Sequence, residues 1–191
     1  GADVRWSDPA VTEADMRAIL ERLEGAVVVR ACRLTPMQEA MLEACDANPD
    51  AYLVENWAEI LGALDPDALE KRLHALTERH EALRAVFITG ENRPWQAVLE
   101  RKDSFFSFED LSALPGPEQE QRMRAARAAL PRPRLIADPL VRLLLFRLGE
   151  DRFRVLLSWH HIILDGWSLG LLLSELFAPE APSTPTVSFV E

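Results

Sequence analysis

The sequence His160-His161-Ile162-Ile163-Leu164-Asp165-Gly166 places two adjacent histidines, one acid and one glycine in a short segment near the end of the chain. The apolar residues 152–159 before it favour a buried strand, and residues 168–177 after it favour an apolar helix. Histidine exchanges a proton near neutral pH, and active-site residues often lie on the turn between two such elements. This segment is therefore the first candidate for a catalytic site.

The composition is that of a globular domain: 191 residues, 48% hydrophobic and 27% charged, enough to bury a core. The net charge of −10 argues against a nucleic acid partner. The two cysteines, Cys32 and Cys45, make no disulfide framework and lack metal-ligand spacing, so we expect no metal site. Because acids interrupt the first thirty residues and no long apolar run follows, we expect no signal peptide, no membrane span and a cytoplasmic location.

Hydrophobic periodicity and turn residues predict a mixture of helices and strands. The predicted helices span residues 12–23, 35–45, 65–83, 117–130 and 168–177. The predicted strands span residues 27–32, 52–61, 85–89, 95–100, 105–108, 140–148 and 152–159, with a hairpin turn at Gly90-Glu91-Asn92. Three prolines in residues 178–191 predict a linker. Strands that mostly pair with their neighbours predict an α+β fold, a mixed β-sheet flanked by helices.

Three separate segments carry a resemblance to a known family. They are LTPMQEAML at residues 34–42, RHEALRAVF at residues 79–87 and HHIILDGWS at residues 160–168. In this order they resemble the condensation domain of nonribosomal peptide synthetases, the multidomain enzymes of antibiotic biosynthesis. The family's domain has two lobes, each similar to chloramphenicol acetyltransferase, and this chain resembles the N-terminal lobe alone.

The resemblance implies a division of the chain and a reaction. Residues 1–30 are expected to be an upstream linker with a helix, residues 31–177 the N-terminal lobe, and residues 178–191 the start of a link to a C-terminal lobe. The implied reaction joins an acyl or peptidyl donor to an aminoacyl acceptor by an amide bond. The implied partners are donor and acceptor peptidyl carrier proteins, whose phosphopantetheine arms hold the substrates, and no cofactor is bound directly. Because the reaction takes place in a tunnel between the lobes, the isolated lobe is expected to be inactive.

The resemblance makes His161 the catalytic residue. Its imidazole could accept the proton of the attacking amine or hold the amine in line, and the sequence leaves both roles open. His160 is expected on the other side of the strand, where a packing role and a direct chemical role are both open.

Five further residues of the motif and its neighbourhood receive supporting roles. Asp165 is implied to form a salt bridge with Arg84 that orients the turn. Gly166 has two interpretations, a backbone angle that only glycine adopts and room for the phosphopantetheine arm. Trp167 is expected in the core, and Ser168 is expected to cap the helix that follows.

Other candidates favour structural roles. Gln38 and Met41 could face the tunnel, but packing is the preferred interpretation. Arg79 and His80 favour a solvated helix end. Five arginines and no acid occur between residues 121 and 137. This run could steer an acidic carrier protein, although a solvated face is the commoner explanation.

Two other functions remain open beside the synthetase. One is a lobe of a stand-alone acyltransferase that shares the HHxxxDG motif and uses a hydroxyl acceptor; the segment at residues 79–87 and the pair Trp167-Ser168 argue against it. The other is a carrier-binding or interface module that retains the fold without catalysis. The intact histidine motif argues against that module for the parent protein, but not for the isolated lobe.

Overall fold

The computed structural model describes residues 8–89, 94–178 and 186–190, and in it helices pack on two β-sheets. The helices are α1 Glu13–Arg22, α2 Pro36–Ala47, α3 Pro66–Arg79, α4 Gly116–Ala129 and α5 Gly166–Leu176. The strands are β1 Val28–Arg33, β2 Leu53–Leu61, β3 Ala85–Ile88, β4 Trp95–Leu99, β5 Phe105–Asp110, β6 Val141–Gly149, β7 Arg152–His160 and β8 Thr186–Val190. A short 3₁₀ helix, Glu81–Arg84, connects α3 to β3.

The larger sheet is mixed, as predicted. Its strands follow the order β5-β6-β7-β2-β8, and the smaller sheet follows the order β1-β4-β3. Strands β5 and β6 run parallel, whereas the other neighbours in the larger sheet are antiparallel. Strands β3 and β4 pair as the predicted hairpin, whose turn at Gly90-Glu91-Asn92 lies outside the described residues. The α+β prediction is therefore confirmed.

The helix starts follow from capping residues in the sequence. The Thr35 hydroxyl accepts a hydrogen bond from the Gln38 backbone N–H, and the Gln38 side-chain oxygen accepts one from the Thr35 backbone N–H, which closes a capping box at α2. Asp65 caps α3 in front of Pro66, whose missing N–H costs nothing at the first helical position. These contacts confirm the predicted starts of α2 and α3.

The central strands β6 and β7 of the larger sheet are buried on both faces. Alternate residues of a strand point to opposite sides of the sheet. On one face Leu143 and Leu145 of β6 belong to a cluster with residues of α3 and α5. On the other face Leu144 and Phe146 pack in a cluster with Met123 of α4. This double burial explains the long apolar runs of β6 and β7, and it places α5 on the face opposite α4.

One helix is shorter than predicted, and the expected linker segments at both ends of the chain make contacts with the fold. The helix predicted to end at residue 83 ends at Arg79, where the chain turns into the 3₁₀ helix. Helix α1 buries Met16 and Ile19 in a cluster with the smaller sheet, so this part of the expected upstream linker is packed, and β1 crosses the expected boundary at residue 30. Within the expected link at 178–191, Thr186–Val190 pairs with β2 as an edge strand. Among the described residues no helix is long and apolar enough to cross a membrane.

Candidate active site

The histidine motif occupies the connection between β7 and α5. Strand β7 ends at His160, and α5 begins at Gly166. Backbone hydrogen bonds hold the connection in place: the His160 N–H donates to Leu140, and the His161 N–H donates to Tyr52 at 2.9 Å. The predicted strand-turn-helix context of the motif is therefore present.

His161 is partly buried at the start of this turn. Its Nδ1 atom lies 3.0 Å from the carbonyl oxygen of Leu164. Because a carbonyl oxygen only accepts hydrogen bonds, Nδ1 carries the proton of the neutral ring. The lone pair then belongs to Nε2, which can accept a proton or hold an amine. The rings of Trp159 and His161 form a tilted, edge-type contact with a centroid distance of 6.4 Å and an interplanar angle of 60°.

His160 lies in a different environment and is only 3% exposed. Its Nδ1 accepts a hydrogen bond from the Ile162 N–H at 3.1 Å, and its Nε2 lies 3.4 Å from Sγ of Cys45. Burial lowers the pKa of His160 to about 4, against a smaller opposing effect of its hydrogen bond to Ala51. The ring is therefore neutral near pH 7, and both of its nitrogens contact other parts of the chain.

Asp165 is exposed and caps α5. Its Oδ1 accepts a hydrogen bond from the backbone N–H of Ser168 at 2.7 Å. Hydrogen bonds from the backbone and side chain of Ser168 lower the pKa of the Asp165 carboxyl group. The expected helix cap at Ser168 is therefore wrong: Ser168 donates the hydrogen bond, and Asp165 is the capping residue.

The expected salt bridge between Asp165 and Arg84 is also wrong. Arg84 is buried, and its guanidinium donates to the backbone carbonyls of Leu99 at 2.9 Å, of Thr77 at 3.0 Å and of Glu78. The last two carbonyls lie in the final turn of α3, where carbonyls lack partners within the helix. Arg84 therefore caps the end of α3 and joins it to β4, and its hydrogen bonds go to these carbonyls and not to Asp165.

Gly166 and Trp167 lie at the start of α5 and are exposed to solvent. A side chain at Gly166 would meet no atom within 4 Å, and its φ is outside the left-handed region. The interpretation that the backbone requires glycine here is wrong, whereas room for a ligand stays a prediction. Trp167 is 79% exposed, so its expected place in the core is wrong as well. Helix α5 is apolar around most of its surface, and the pattern could not indicate which side faces the sheet.

Three residues contact the motif in ways that the sequence did not predict, and for one of them, Gln38, packing was the preferred interpretation. The carbonyl of Tyr52 accepts the hydrogen bond from the His161 backbone, and Tyr52 has a φ of 61°, which is uncommon for a bulky residue. Cys45 of α2 contacts His160. Gln38 reaches the backbone of Ile162 at 3.2 Å. No local pattern signals these contacts, because each depends on the packing of distant segments.

The helix-end residues and the basic run are engaged in ion pairs. Arg79 pairs with Glu175 of α5, and His80 lies 3.3 Å from the same carboxylate, so the end of α3 is tied to α5.

Four of the five arginines in the basic run have acidic partners: Arg122 with Glu109, Arg127 with Glu55, Arg132 with Asp50 and Arg134 with Asp138. This pairing favours the solvated face over a docking surface.

The geometry agrees with comparisons to known proteins. A family model for the condensation domain matches residues 29–179. Tyrocidine synthase 2 of Brevibacillus parabrevis is 35% identical over 150 residues, which cover 76% of this chain and 4% of that protein. Surfactin synthase subunit 3 of Bacillus subtilis (strain 168) is 33% identical over 149 residues, which cover 75% of this chain and 12% of that protein. The chain thus spans a small part of the curated relatives that it matches.

Solved structures give the same result. The first condensation domain of the calcium-dependent antibiotic synthetase, in complex with a substrate analogue, has a TM-score of 0.67 and 28% identity, covering 76% of this chain and 36% of that chain. The starter condensation domain of rhizomide synthetase has the same fold, with a TM-score of 0.67 at 21% identity, covering 77% of this chain and 36% of that chain. The chain belongs to the condensation domain family.

Proposed function

We propose that this chain is the N-terminal lobe of a nonribosomal peptide synthetase condensation domain. The domain would join an acyl or peptidyl donor to an aminoacyl acceptor by an amide bond. Both substrates would be thioesters on the phosphopantetheine arms of peptidyl carrier proteins. Membership of the family and the intact motif support this function, and the observation that carries it is the His161 ring, whose Nδ1 is held by the Leu164 carbonyl.

His161 would act on the acceptor amine. The amine nitrogen attacks the carbonyl carbon of the donor thioester, a C–N bond forms, and the C–S bond breaks. The proton that leaves the amine ends on the thiol of the donor arm. With its lone pair on Nε2, His161 can accept that proton in passing or hold the neutral amine in line. His160, neutral and buried, would support the turn from behind.

The second lobe would supply the other wall of the reaction site. The cavity next to the turn, which Ile163, Leu164 and Ser168 help to line, has a volume of about 210 Å³. Sites for small organic ligands usually measure roughly 300–1,000 Å³. His161 is not among the residues that line this cavity. The proposal that the chain by itself would bind a carrier protein at most and would not form the amide therefore rests on the missing second wall of the site.

The test uses the full-length protein together with separately loaded donor and acceptor carriers. Amide formation, followed by mass spectrometry of the acceptor arm, is the expected result. The 191-residue chain alone should give no product, and a hydroxyl acceptor in place of the amine should react poorly. A stand-alone acyltransferase would prefer the hydroxyl acceptor, and a binding module would give no product even at full length.

A further inference from the structure

We propose that Gln38 is a positioning residue for His161, because its side-chain amide holds the backbone of the turn that carries the histidine. This role rests on the proposed function of His161. Gln38 lies in the first turn of α2, more than a hundred residues before the motif, and nothing in the local sequence connects the two. The connection is a hydrogen bond from Gln38 Nε2 to the carbonyl oxygen of Ile162 at 3.2 Å.

The orientation of the Gln38 amide follows from its partners. Its Oε1 accepts a hydrogen bond from the Thr35 N–H at 3.0 Å, and only an oxygen can accept there. The NH₂ group must therefore point the other way. It donates to Ile162 and also to Oε1 of Gln96 in β4, at 2.8 Å. One side chain thus joins the cap of α2, the smaller sheet and the motif.

The hydrogen bond from Gln38 reaches the residue next to His161 in the turn. Ile162 follows His161 directly and is 4% exposed. Its N–H donates to His160 Nδ1 at 3.1 Å, and its C=O accepts from Gln38. Both backbone groups of this residue are therefore held by side chains. On the other side, the His161 N–H is held by Tyr52.

Loss of the Gln38 donor would leave the Ile162 carbonyl unpaired in a buried position, which costs free energy unless the turn moves. A movement of the turn changes the contact between His161 Nδ1 and the Leu164 carbonyl, which fixes the ring. Displacements of about 1 Å at a reacting group can lower a rate about 100-fold. Gln38 would therefore affect the reaction without touching the substrate.

The variant Gln38→Glu separates this role from helix capping. A carboxylate still accepts the Thr35 N–H, as glutamate does in many capping boxes, but it cannot donate to Ile162. The matched control is Thr35→Ala, which removes the hydroxyl half of the cap and leaves the Gln38 amide in place. The second control is Gln38→Met, which removes both polar functions at similar volume and serves if Gln38→Glu does not fold.

The first measurement is the ¹⁵N NMR spectrum of the imidazole rings in the 191-residue chain, with thermal melting as the stability control. We expect the proton of the neutral His161 ring on Nδ1 in the wild type and in Thr35→Ala. In Gln38→Glu we expect a shift of the proton population toward Nε2, with a cooperative melting transition retained. Wild-type ring signals in both Gln38 variants, or an equal shift in Thr35→Ala, would overturn the proposal.

The second measurement is the rate of amide formation in the full-length protein. Gln38→Glu should be slowed at least about tenfold, and Thr35→Ala should react at nearly the wild-type rate. A wild-type rate in Gln38→Glu would overturn the positioning role. If the wild-type protein formed no amide, the proposed function would fail, while the NMR measurement would still decide whether Gln38 orients His161.

Discussion

The Nε2 atom of His160 lies 3.4 Å from Sγ of Cys45, which ties the end of β7 to α2. The same ring accepts the Ile162 N–H through Nδ1, so in its neutral form the proton lies on Nε2, facing α2. Burial favours this neutral form and lowers the pKa of His160 from 6.5 to about 4. Both ring nitrogens of the first histidine therefore have contacts within the chain, and a structural role for His160 stays a prediction.

This link makes the protein sensitive to acid. Since the pKa of His160 is about 4 in the folded protein and 6.5 as the reference value, the unfolded chain binds more protons between these pH values. The free energy of unfolding should fall as the pH decreases from about 6.5 to about 4, by an amount on the order of 3 kcal/mol at about 1.4 kcal/mol per pKa unit. Urea unfolding across this range measures the effect.

The matched variant is His160→Asn, whose Oδ1 takes about the position of Nδ1 and can still accept the Ile162 N–H, but which does not titrate. Its stability should depend less steeply on pH over the same range, since the carboxylates titrate in both proteins. Identical pH dependence in the two proteins would show that His160 is not buried in its neutral form.

Arg84 and Asp165 should act independently. Arg84→Met should cost about 2–4 kcal/mol, because the buried carbonyls of Leu99 and Thr77 lose a charged donor. Asp165→Asn should have little effect, since asparagine also caps helices well. Chemical unfolding of the single and double variants measures the coupling, and the two losses should add. A double variant less destabilised than the sum would indicate that a salt bridge joins them.

A side chain at position 166 should not destabilise the fold, but it should slow amide formation. Gly166→Ala should keep or raise the melting temperature, because alanine is the better helix former and no atom lies within 4 Å of its Cβ. In the full-length protein the same variant should slow amide formation, if the open space accommodates a pantetheine arm. Gly170→Ala, one turn later in α5 and equally unobstructed, is the control and should react normally. Equal rates for both variants would remove Gly166 from the substrate path.

Trp167 should contribute little to the stability of the chain. Because Trp167 is 79% exposed, Trp167→Ser should change the free energy of unfolding by roughly 0.5 kcal/mol or less. Trp159→Ala, in contrast, removes a side chain that is 4% exposed and should cost about 3–5 kcal/mol. Comparable losses in urea unfolding would mean that Trp167 is buried in solution.

The elements of the fold were largely predictable, because their signals are local. The pairs Thr35-Pro36 and Asp65-Pro66 predict helix starts, because threonine and aspartate cap helices and proline is tolerated in the first turn. The apolar run of β6 indicates a strand covered on both faces. The order of the three family segments predicted the family itself, which the comparisons confirm.

The contacts within the site were less predictable, because they depend on distant segments. A buried arginine can be satisfied by backbone carbonyls, which leave no trace in the sequence, so the Leu99 and Thr77 partners of Arg84 were not predictable. The uniform apolar character of α5 hid the exposed side that carries Trp167. The left-handed conformation of Tyr52 and the reach of Gln38 likewise have no sequence signature.

The most direct test of this account is the single-turnover rate of amide formation by the His161→Ala variant of the full-length protein, with loaded donor and acceptor carriers. His161 is partly exposed, so the variant should melt like the wild type. Loss of a positioned acid–base group should reduce the rate by about 100- to 10,000-fold. A wild-type rate in a folded His161→Ala protein would contradict the assignment of the reaction to this histidine.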